Sequence, residues 1–308
     1  MKAETQLPKA LYFVRDETLA EFRDEAKQYR VTLSELSPGI FASVNPERLF
    51  WVLDYWPVNR LAFTSVSDAA KQLRRMGRFW AYAGGNHYRR GMLIADNLRC
   101  EKERLWNFPV SARGNRWQAF TLSSPNDLLC SGQPLKHRFA GGRLRFVEDR
   151  EGPPSRAYLK LYEALTLADV SLGSDDQVLD LGATPGGWSY VAACAGAQVQ
   201  MVDRAAPDSG LLRKFPQIRF HKGDGLNPPV ALLEDATVIL SDMACEPAKL
   251  FESVERWRQL PRLKVMVCTL KFHGKSDKQL IRQFAAIAGS EIYHLWHNGH
   301  ELTWVWRR

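Results

Sequence analysis

Short apolar runs alternate with amphipathic stretches through the second half of the chain. The runs are rich in Val, Ile and Leu, as strands buried on both faces of a parallel sheet require. Residues 155–169 show apolar positions at helical spacing, and Ser155 is suited to cap that helix. The last two runs lie close together across Asn298 and Gly299, a hairpin signal. The predicted strands are residues 178–181, 199–203, 218–221, 238–242, 265–271, 292–297 and 302–306. This pattern predicts a Rossmann-like α/β fold, doubly wound and mostly parallel, with a C-terminal antiparallel hairpin.

The first half of the chain shows a shorter α/β pattern. Residues 16–29 are charged, with Leu19, Phe22 and Ala26 at helical spacing, and a second helix could begin at Asn45 and Pro46. The predicted strands are residues 11–14, 39–44, 60–64, 116–122 and 143–147. Together these elements predict a smaller α/β domain with one sheet.

Residues 148–154 are charged and rich in turn formers, which is typical of a linker. A chain of 308 residues exceeds the usual single domain. The predicted organisation is therefore an N-terminal α/β domain at residues 1–147, a linker at 148–154 and the Rossmann-like domain at 155–308.

Composition excludes several classes of protein. No apolar run is long enough to cross a membrane, and the start at Met1 leads into no signal-like segment, so we expect a soluble, cytoplasmic protein without a membrane partner. The cysteines are widely spaced and form no Cys-x-x-Cys pair, which argues against a zinc site or a disulfide framework. We expect reduced, mostly buried thiols at Cys100, Cys130, Cys194, Cys245 and Cys268.

The chain carries 42 basic and 34 acidic residues, and its net charge of +8 is concentrated in one segment. Residues 71–116 hold eleven basic and three acidic residues, an excess equal to that of the whole chain. Cations for phosphates and rings for stacking on bases together predict nucleic-acid binding. The basic residues are Lys71, Arg74, Arg75, Arg78, Arg89, Arg90, Arg99, Lys102, Arg104, Arg113 and Arg116, and the interleaved aromatic residues are Phe79, Trp80, Tyr82, Tyr88, Trp106 and Trp117.

The sequence DLGATPGGW at residues 180–188 joins the first strand of the second half to a helix through three glycines. Glycines let backbone amides approach a ligand, and the helix N-terminus behind them favours electronegative groups. The GxxxGG spacing differs from the GxGxxG of a dinucleotide fold, which argues against an NAD-dependent dehydrogenase. The candidate nucleotide-binding residues of the loop are Gly182, Thr184, Pro185, Gly186, Gly187 and Trp188.

Acidic residues fall at or near the ends of four successive predicted strands, at Asp180, Asp203, Asp224 and Asp242. Ligands of open α/β sheets lie at the carboxyl ends of the strands. We expect Asp203 to accept hydrogen bonds from ribose hydroxyls and Asp224 to reach an adenine amino group.

Three further charged residues extend this set. Lys271 ends an apolar strand, where a charge is costly unless it is paired or used. Lys160 lies on the helix after Ser155, and Glu301 lies at the predicted hairpin.

From residue 155 onward the chain resembles the FtsJ-like 2'-O-ribose methyltransferases. The resemblance lies in SRAYLKL at 155–161, the glycine loop, SDM at 241–243, Leu270 with Lys271, and Glu301. It implies S-adenosylmethionine as cofactor and a catalytic tetrad of Lys160, Asp242, Lys271 and Glu301, with no metal.

Residues 242–249 and the following helix resemble the RlmM-like branch, which methylates a cytidine of bacterial large-subunit ribosomal RNA. That resemblance implies ribosomal RNA as partner. The branch carries a ferredoxin-like module and a THUMP domain, and this chain has room before residue 155 for only an abbreviated THUMP-like part.

The chemistry of such a reaction fits these residue types. A ribose hydroxyl is a poor nucleophile at neutral pH, so a base must take its proton as it attacks the methyl group. An ammonium group cannot be a base, and burial together with the like charge of Lys160 would favour the neutral amine at Lys271. We predict Lys271 as the base, Asp242 and Lys160 as groups that hold it and the hydroxyl, and Glu301 as an orienter of the ribose or of Lys160.

Other readings remain as alternatives to a ribosomal RNA 2'-O-methyltransferase. A non-catalytic RNA- or ribosome-binding protein could retain the fold, and another RNA such as transfer RNA could be the substrate. A base-amino methyltransferase would want an Asn/Asp-Pro-Pro-aromatic turn where this chain has DMAC, and a carbon-5 cytosine methyltransferase would want a Pro-Cys nucleophile, whereas Cys245 follows Ala244. His294, His297 and His300 span a strand and a turn, which favours surface pairing over a metal.

Overall fold

The computed structural model describes residues 7–112 and 115–308 and divides the chain into two compact units. Unit 1 takes the chain up to Trp106 and Val110–Arg145, and unit 2 takes Asn107–Pro109 and Phe146–Arg308. Met1 and Arg113, which entered the expectations above, lie outside the described residues.

Unit 1 is built around one seven-stranded sheet in the order β2-β3-β1-β4-β7-β6-β5. Its first four strands are antiparallel neighbours, and with α1 they follow the β-α-β-β start of a ferredoxin-like module. The helices are α1 (Leu19–Gln28), α2 (Val66–Met76) and α3 (Tyr88–Leu98); the strands are β1 (Ala10–Phe13), β2 (Leu33–Ser37), β3 (Ile40–Ser43), β4 (Asp54–Ala62), β5 (Phe79–Tyr82), β6 (Trp117–Ser124) and β7 (Asp127–Ser131).

The predicted smaller α/β domain is present, but two of its predicted elements are absent. Residues 45–50 form no helix, because the buried carboxylate of Glu25 accepts from the amides of Phe50 and Trp51 and holds this segment as a loop. Residues 143–147 form no strand, although the Trp106 amide donates a hydrogen bond to the Arg145 carbonyl. Sequence reasoning missed α2, α3, β2, β5 and β7.

Unit 2 contains a second seven-stranded sheet, in the order β10-β9-β8-β11-β12-β14-β13. The first five strands in this order are parallel, and β14 is antiparallel to both β12 and β13. The strands are β8 (Gln177–Leu181), β9 (Gln198–Asp203), β10 (Ile218–Lys222), β11 (Val238–Ser241), β12 (Val265–Lys271), β13 (Ser290–Tyr293) and β14 (Glu301–Arg307). The predicted doubly wound sheet with its antiparallel end is confirmed.

Six helices flank the sheet of unit 2, and the apolar faces of the longer ones are buried. In α8, Leu250, Val254 and Trp257 are buried, as their helical spacing predicts. The helices are α4 (Tyr158–Ala168), α5 (Gly187–Cys194), α6 (Ser209–Lys214), α7 (Val230–Asp235), α8 (Pro247–Trp257) and α9 (Lys278–Ala286).

Two local expectations in unit 2 were wrong. Ser155 does not cap α4, whose N-cap is Ala157 without a side-chain hydrogen bond. The last two strands are not joined by a two-residue turn, because β13 already ends at Tyr293 and residues 294–300 connect it to β14.

The segment proposed as a linker is tied to unit 2 by hydrogen bonds. The Asp149 amide donates to the Tyr158 hydroxyl at 2.7 Å, and the Tyr190 hydroxyl donates to the Asp149 carboxylate at 3.1 Å. From earlier in the chain, Phe108 stacks on Tyr162 with ring centroids 3.9 Å apart. In the described part of the chain, no helix combines the length and apolar character that crossing a membrane requires.

Candidate active site

The glycine loop occupies the carboxyl end of β8, and two of its glycines are required by the backbone. Gly182 and Gly186 have φ values of 69° and 119°, in the left-handed region that side chains disfavour. A Cβ on Gly182 would lie 2.3 Å from the Met243 side chain, and one on Gly186 would lie 2.2 Å from Leu211. The loop therefore presents backbone, with α5 beginning directly behind it at Gly187.

Asp203 and Asp224 follow the neighbouring strands β9 and β10, as the sequence predicted. The Asp203 carboxylate accepts from the amides of Thr184 and Ala205 at 2.9 and 2.8 Å, which ties the glycine loop to the end of β9. The hydrogen bond from Asn227, with further contributions from the Leu226 amide and Arg204, lowers the pKa of Asp224. The Asp224 carboxylate is therefore an anionic acceptor beside the loop.

Lys160, Asp242, Lys271 and Glu301 come together in one cluster within unit 2. The Lys160 ammonium lies 2.9 and 2.8 Å from the two carboxylate oxygens of Asp242 and 3.0 Å from Glu301 Oε1. The Lys271 nitrogen lies 3.0 Å from Asp242 Oδ1 and 2.6 Å from the Asp242 carbonyl oxygen. Asp242 is thus the centre of the cluster and contacts both lysines.

Secondary structure explains why these four residues meet. β11 and β12 are parallel neighbours, so Asp242, after β11, and Lys271, at the end of β12, lie at the same edge of the sheet. The antiparallel pairing of β12 with β14 places Lys271 directly opposite Glu301. Lys160 reaches the cluster from the first turn of α4.

The two lysines differ in the number of hydrogen bonds that they donate. Lys160 directs its three donors at three carboxylate oxygens, and its side chain is 11% exposed. Burial alone would lower the pKa of Lys160, but the charges of Asp242 and Glu301 outweigh burial and raise it. Lys160 is therefore a fixed cation.

Lys271 has a different environment. It contacts two acceptor atoms, both on Asp242, and its side chain is 25% exposed. One of these contacts is a hydrogen bond to the Asp242 carbonyl and the other is an ion pair with the Asp242 carboxylate. Lys271 thus has fewer protein partners than Lys160 and is more accessible to a substrate group.

Met243 connects the charged cluster to the glycine loop. It follows Asp242, and its side chain lies in the space that a Cβ on Gly182 or Gly225 would need. The cluster and the loop are consequently adjacent along the carboxyl edge of the sheet.

Glu163 is a residue of this region that sequence reasoning missed. It is 1% exposed, one turn after Lys160 on α4, and accepts from the Trp296 amide at 2.7 Å and from His297 through its amide and Nδ1 at 3.1 and 2.8 Å. Glu163 thereby fixes the connection between β13 and β14 that leads into Glu301. An acid within the apolar α4 sequence was the available signal.

Other candidate residues have structural partners. The Trp188 indole is buried and donates to the Ala157 carbonyl at 2.9 Å, and the Thr184 hydroxyl donates to the Ala205 carbonyl. These contacts hold the loop against α4 and β9. Pro185, between them, completes the turn of the loop before Gly186.

The cysteines and histidines concern the expectations of buried thiols and of a metal site. Cys194 is exposed and Cys245 half-buried, so burial of the thiols is less general than expected, and all five cysteines are free. His300 Nδ1 lies 3.2 Å from the Phe272 carbonyl. Among the described residues, no group of three His, Cys, Asp or Glu side chains is placed to hold a metal ion.

The sheet order and the glycine loop after its first strand are those of a Rossmann-like α/β domain, and the Lys-Asp-Lys-Glu cluster lies at the carboxyl edge of the sheet. Residues 153–298 match the family model described as FtsJ-like methyltransferase. This part of unit 2 is therefore similar to the FtsJ-like methyltransferases, a class of enzyme whose methyl donor is S-adenosylmethionine.

Curated relatives share part of the chain. A protein of Shewanella halifaxensis named "Ribosomal RNA large subunit methyltransferase M" is 30% identical over 212 residues, covering 62% of this chain and 55% of the relative. A protein of Pectobacterium carotovorum with the same name is 29% identical over 180 residues, covering 52% and 47%. The chain thus spans about half the length of the curated relatives it matches.

Solved structures give weaker likenesses. A TehB-like SAM-dependent methyltransferase from Corynebacterium glutamicum aligns with a TM-score of 0.32 and 15% identity, covering 49% of this chain and 96% of that one. A likeness at this level carries no argument about function.

Asp180 makes the stability of unit 2 depend on pH. Burial, and the negative charges of Asp242 and Asp203, raise the pKa of Asp180 to about 7 against the hydrogen bond from Ser189. Between pH 5 and 7 the unfolded chain has lost this proton and the folded chain retains it, so stability falls as pH rises. We expect wild type to lose about 3 kcal/mol between pH 5 and 8 through this group, and Asp180→Asn to lose none of it.

Denaturant unfolding at the two pH values measures this difference. Asp175→Asn, at an exposed position just before β8, is the control and should follow wild type. Parallel pH profiles for wild type and Asp180→Asn would show that Asp180 is ionised in the fold.

Proposed function

We propose that this chain transfers a methyl group from S-adenosylmethionine to a ribose 2'-hydroxyl of large-subunit ribosomal RNA. The observation that carries the proposal is the position of Lys271, held by Asp242 through two contacts and adjacent to the glycine loop. The name that the relatives share, a large-subunit ribosomal RNA methyltransferase, supports this substrate class.

The residues around the glycine loop suit an adenosine that carries a sulfonium group. The left-handed conformations of Gly182 and Gly186 form a tight turn at the carboxyl end of β8, where a ligand can lie against backbone. The carboxylates of Asp203 and Asp224 are acceptors suited to ribose hydroxyls and an adenine amino group. When bound, the cofactor supplies an electrophilic methyl group.

In the charged cluster, a side chain then accepts the proton of the attacking hydroxyl. In this proposal Lys271, as a neutral amine, accepts that proton through its lone pair. Asp242 fixes the Lys271 nitrogen and stabilises the ammonium group that forms, because its carboxylate lies 3.0 Å away. Lys160 holds Asp242 and Glu301 together, and Glu301 remains available to orient the ribose.

The assay is methyl transfer from labelled S-adenosylmethionine to ribosomal RNA, followed by mass-spectrometric mapping. We expect a single 2'-O-methyl mark in large-subunit RNA that is absent without the protein. Transfer RNA and small-subunit RNA serve as competing substrates.

The alternatives give different results in the same assay. A label on a base, or on transfer RNA in preference, would overturn the proposed specificity. Binding of both cofactor and RNA without any transfer would indicate a non-catalytic RNA-binding protein.

A further inference from the structure

The structure divides the basic segment of unit 1 into two parts with different environments. Trp80 and Trp117 are 2% and 8% exposed, so they are not available for stacking on bases. Tyr88 is 59% exposed. Two of the six aromatic residues that the sequence placed beside the cations are therefore inside the fold.

In one part of the segment, Glu101 and Glu103 pair with arginines of unit 1. Arg104 and Arg138 pair with Glu101 at 3.1 and 2.5 Å, and Arg145 pairs with Glu103 at 2.8 Å. Arg104 also lies 4.0 Å from the centroid of the Trp106 ring. These arginines already have partners within the fold.

The other part lines a hollow of about 650 Å³ between the C-terminal ends of α2 and α3, which we call the arginine hollow. Its four guanidinium groups belong to Arg74, Arg75, Arg78 and Arg99. Arg74 donates to the side chain of Asn97 at 2.9 Å. Over residues 7–112 and 115–308, no carboxylate lies within ion-pair distance of any of the four.

Folding alone gives little reason for this arrangement. A helix C-terminus favours nearby cations, but it does not require four to converge without an acid. Arg99 also adopts a left-handed conformation, with φ 58° and ψ 43°, which favours glycine over arginine.

We propose that the arginine hollow binds the phosphodiester backbone of the substrate RNA, a role that rests on the proposed function. Guanidinium groups bind phosphate oxygens with two parallel hydrogen bonds, and such contacts position an RNA without reading its sequence. Burial of Trp80 and Trp117 is consistent with that role, because these two rings do not contact bases. The hollow anchors RNA through its charge, whatever the sequence.

The test compares two double variants that remove the same charge. Arg75→Gln with Arg78→Gln removes two arginines of the hollow, and Arg23→Gln with Arg104→Gln removes two exposed arginines that are ion-paired with Glu35 and Glu101. RNA affinity is measured at several salt concentrations. We expect the slope of log affinity against log salt to fall by roughly 1.5–2 for the first variant and to stay near wild type for the second.

A second matched pair separates binding from folding. Arg99→Gly and Arg30→Gly each remove one charge at a left-handed residue that follows a helix, with φ 58° and 56°, but only Arg99 lines the hollow. Both should be at least as stable as wild type, because glycine relieves the backbone. Only Arg99→Gly should flatten the salt dependence, by roughly 0.7–0.9.

Two RNAs test the kind of contact. A large-subunit RNA fragment and a scrambled RNA of equal length should lose affinity equally with Arg75→Gln/Arg78→Gln. A loss confined to the ribosomal fragment, or equal slopes for the two double variants, would overturn the proposal.

The outcome is independent of catalysis. If wild type binds RNA but transfers no methyl group, the proposed function fails while the salt slopes still decide the role of the hollow. If methyl transfer is present, Arg75→Gln/Arg78→Gln should raise KM for RNA and leave both kcat and cofactor binding unchanged.

Discussion

Lys271→Met is expected to lower kcat for methyl transfer by about 10²–10⁴, the usual contribution of a positioned general base, while cofactor binding stays near wild type. The physical reason is local. Lys271 contacts Asp242 through one hydrogen bond and one ion pair, and methionine offers neither a lone pair for the proton nor donors for Asp242. Single-turnover rates at saturating RNA measure the effect.

Lys271→Arg separates a base from a mere positive charge. Arginine keeps the cation but stays protonated, so it cannot take a proton from the hydroxyl. We expect it to be as inactive as the methionine variant. An active arginine variant would mean that position 271 acts by charge alone.

Lys264→Met is the matched control for both variants. Lys264 directly precedes β12, at the strand end opposite Lys271, and its side chain is exposed. Its loss should leave the rate unchanged. A similar fall for Lys264→Met would assign the effect to damage along β12.

Much of unit 2 could be predicted because its strands are short apolar runs with acids at their ends. The rule that parallel strands meet at one edge is sufficient to bring Asp242 and Lys271 together. Pairing of β13 with β14 was anticipated through the hairpin signal. Pairing of β12 with β14, whose register places Glu301 opposite Lys271, was not. Lys160 was expected to hold Lys271, whereas in the structure it contacts Asp242 and Glu301.

The parts that sequence reasoning missed depend on contacts distant in the chain. The Glu163 carboxylate accepts hydrogen bonds from amides more than 130 residues later in the chain, and no local sequence pattern predicts such contacts. In unit 1, the only buried residues of α2 are Ala69, Ala70 and Leu73. Because this apolar face is small and the helix carries several basic residues, its helical spacing was not recognised in the sequence. The sequence also predicted that the aromatic residues near those arginines could stack on bases. Trp80 and Trp117 are instead buried, and composition does not indicate which rings are buried.

Lys160→Met is expected to lower the free energy of unfolding by about 3–5 kcal/mol, the usual cost of removing one partner from a buried ion pair. The carboxylates of Asp242 and Glu301, whose side chains are 16% and 14% exposed, would lose the cation between them. Methyl transfer should also be lost, because Asp242 would no longer hold its position. Denaturant unfolding measures the first effect, and Lys249→Met is the control: its exposed pair with Glu246 contributes about 1 kcal/mol or less.

The double variant Lys160→Met/Glu301→Gln distinguishes charge balance from positioning. Lys160→Met removes one positive charge from between two carboxylates, and the added Glu301→Gln removes one of the negative charges. We expect the double variant to be more stable than Lys160→Met, with coupling between the two sites of 0.5–3 kcal/mol. Activity should stay low, because Glu301→Gln does not restore the two hydrogen bonds by which Lys160 holds the Asp242 carboxylate. Recovery of activity together with stability would mean that Lys160 serves the cluster by charge alone, and that the three hydrogen bonds it donates are not needed for methyl transfer.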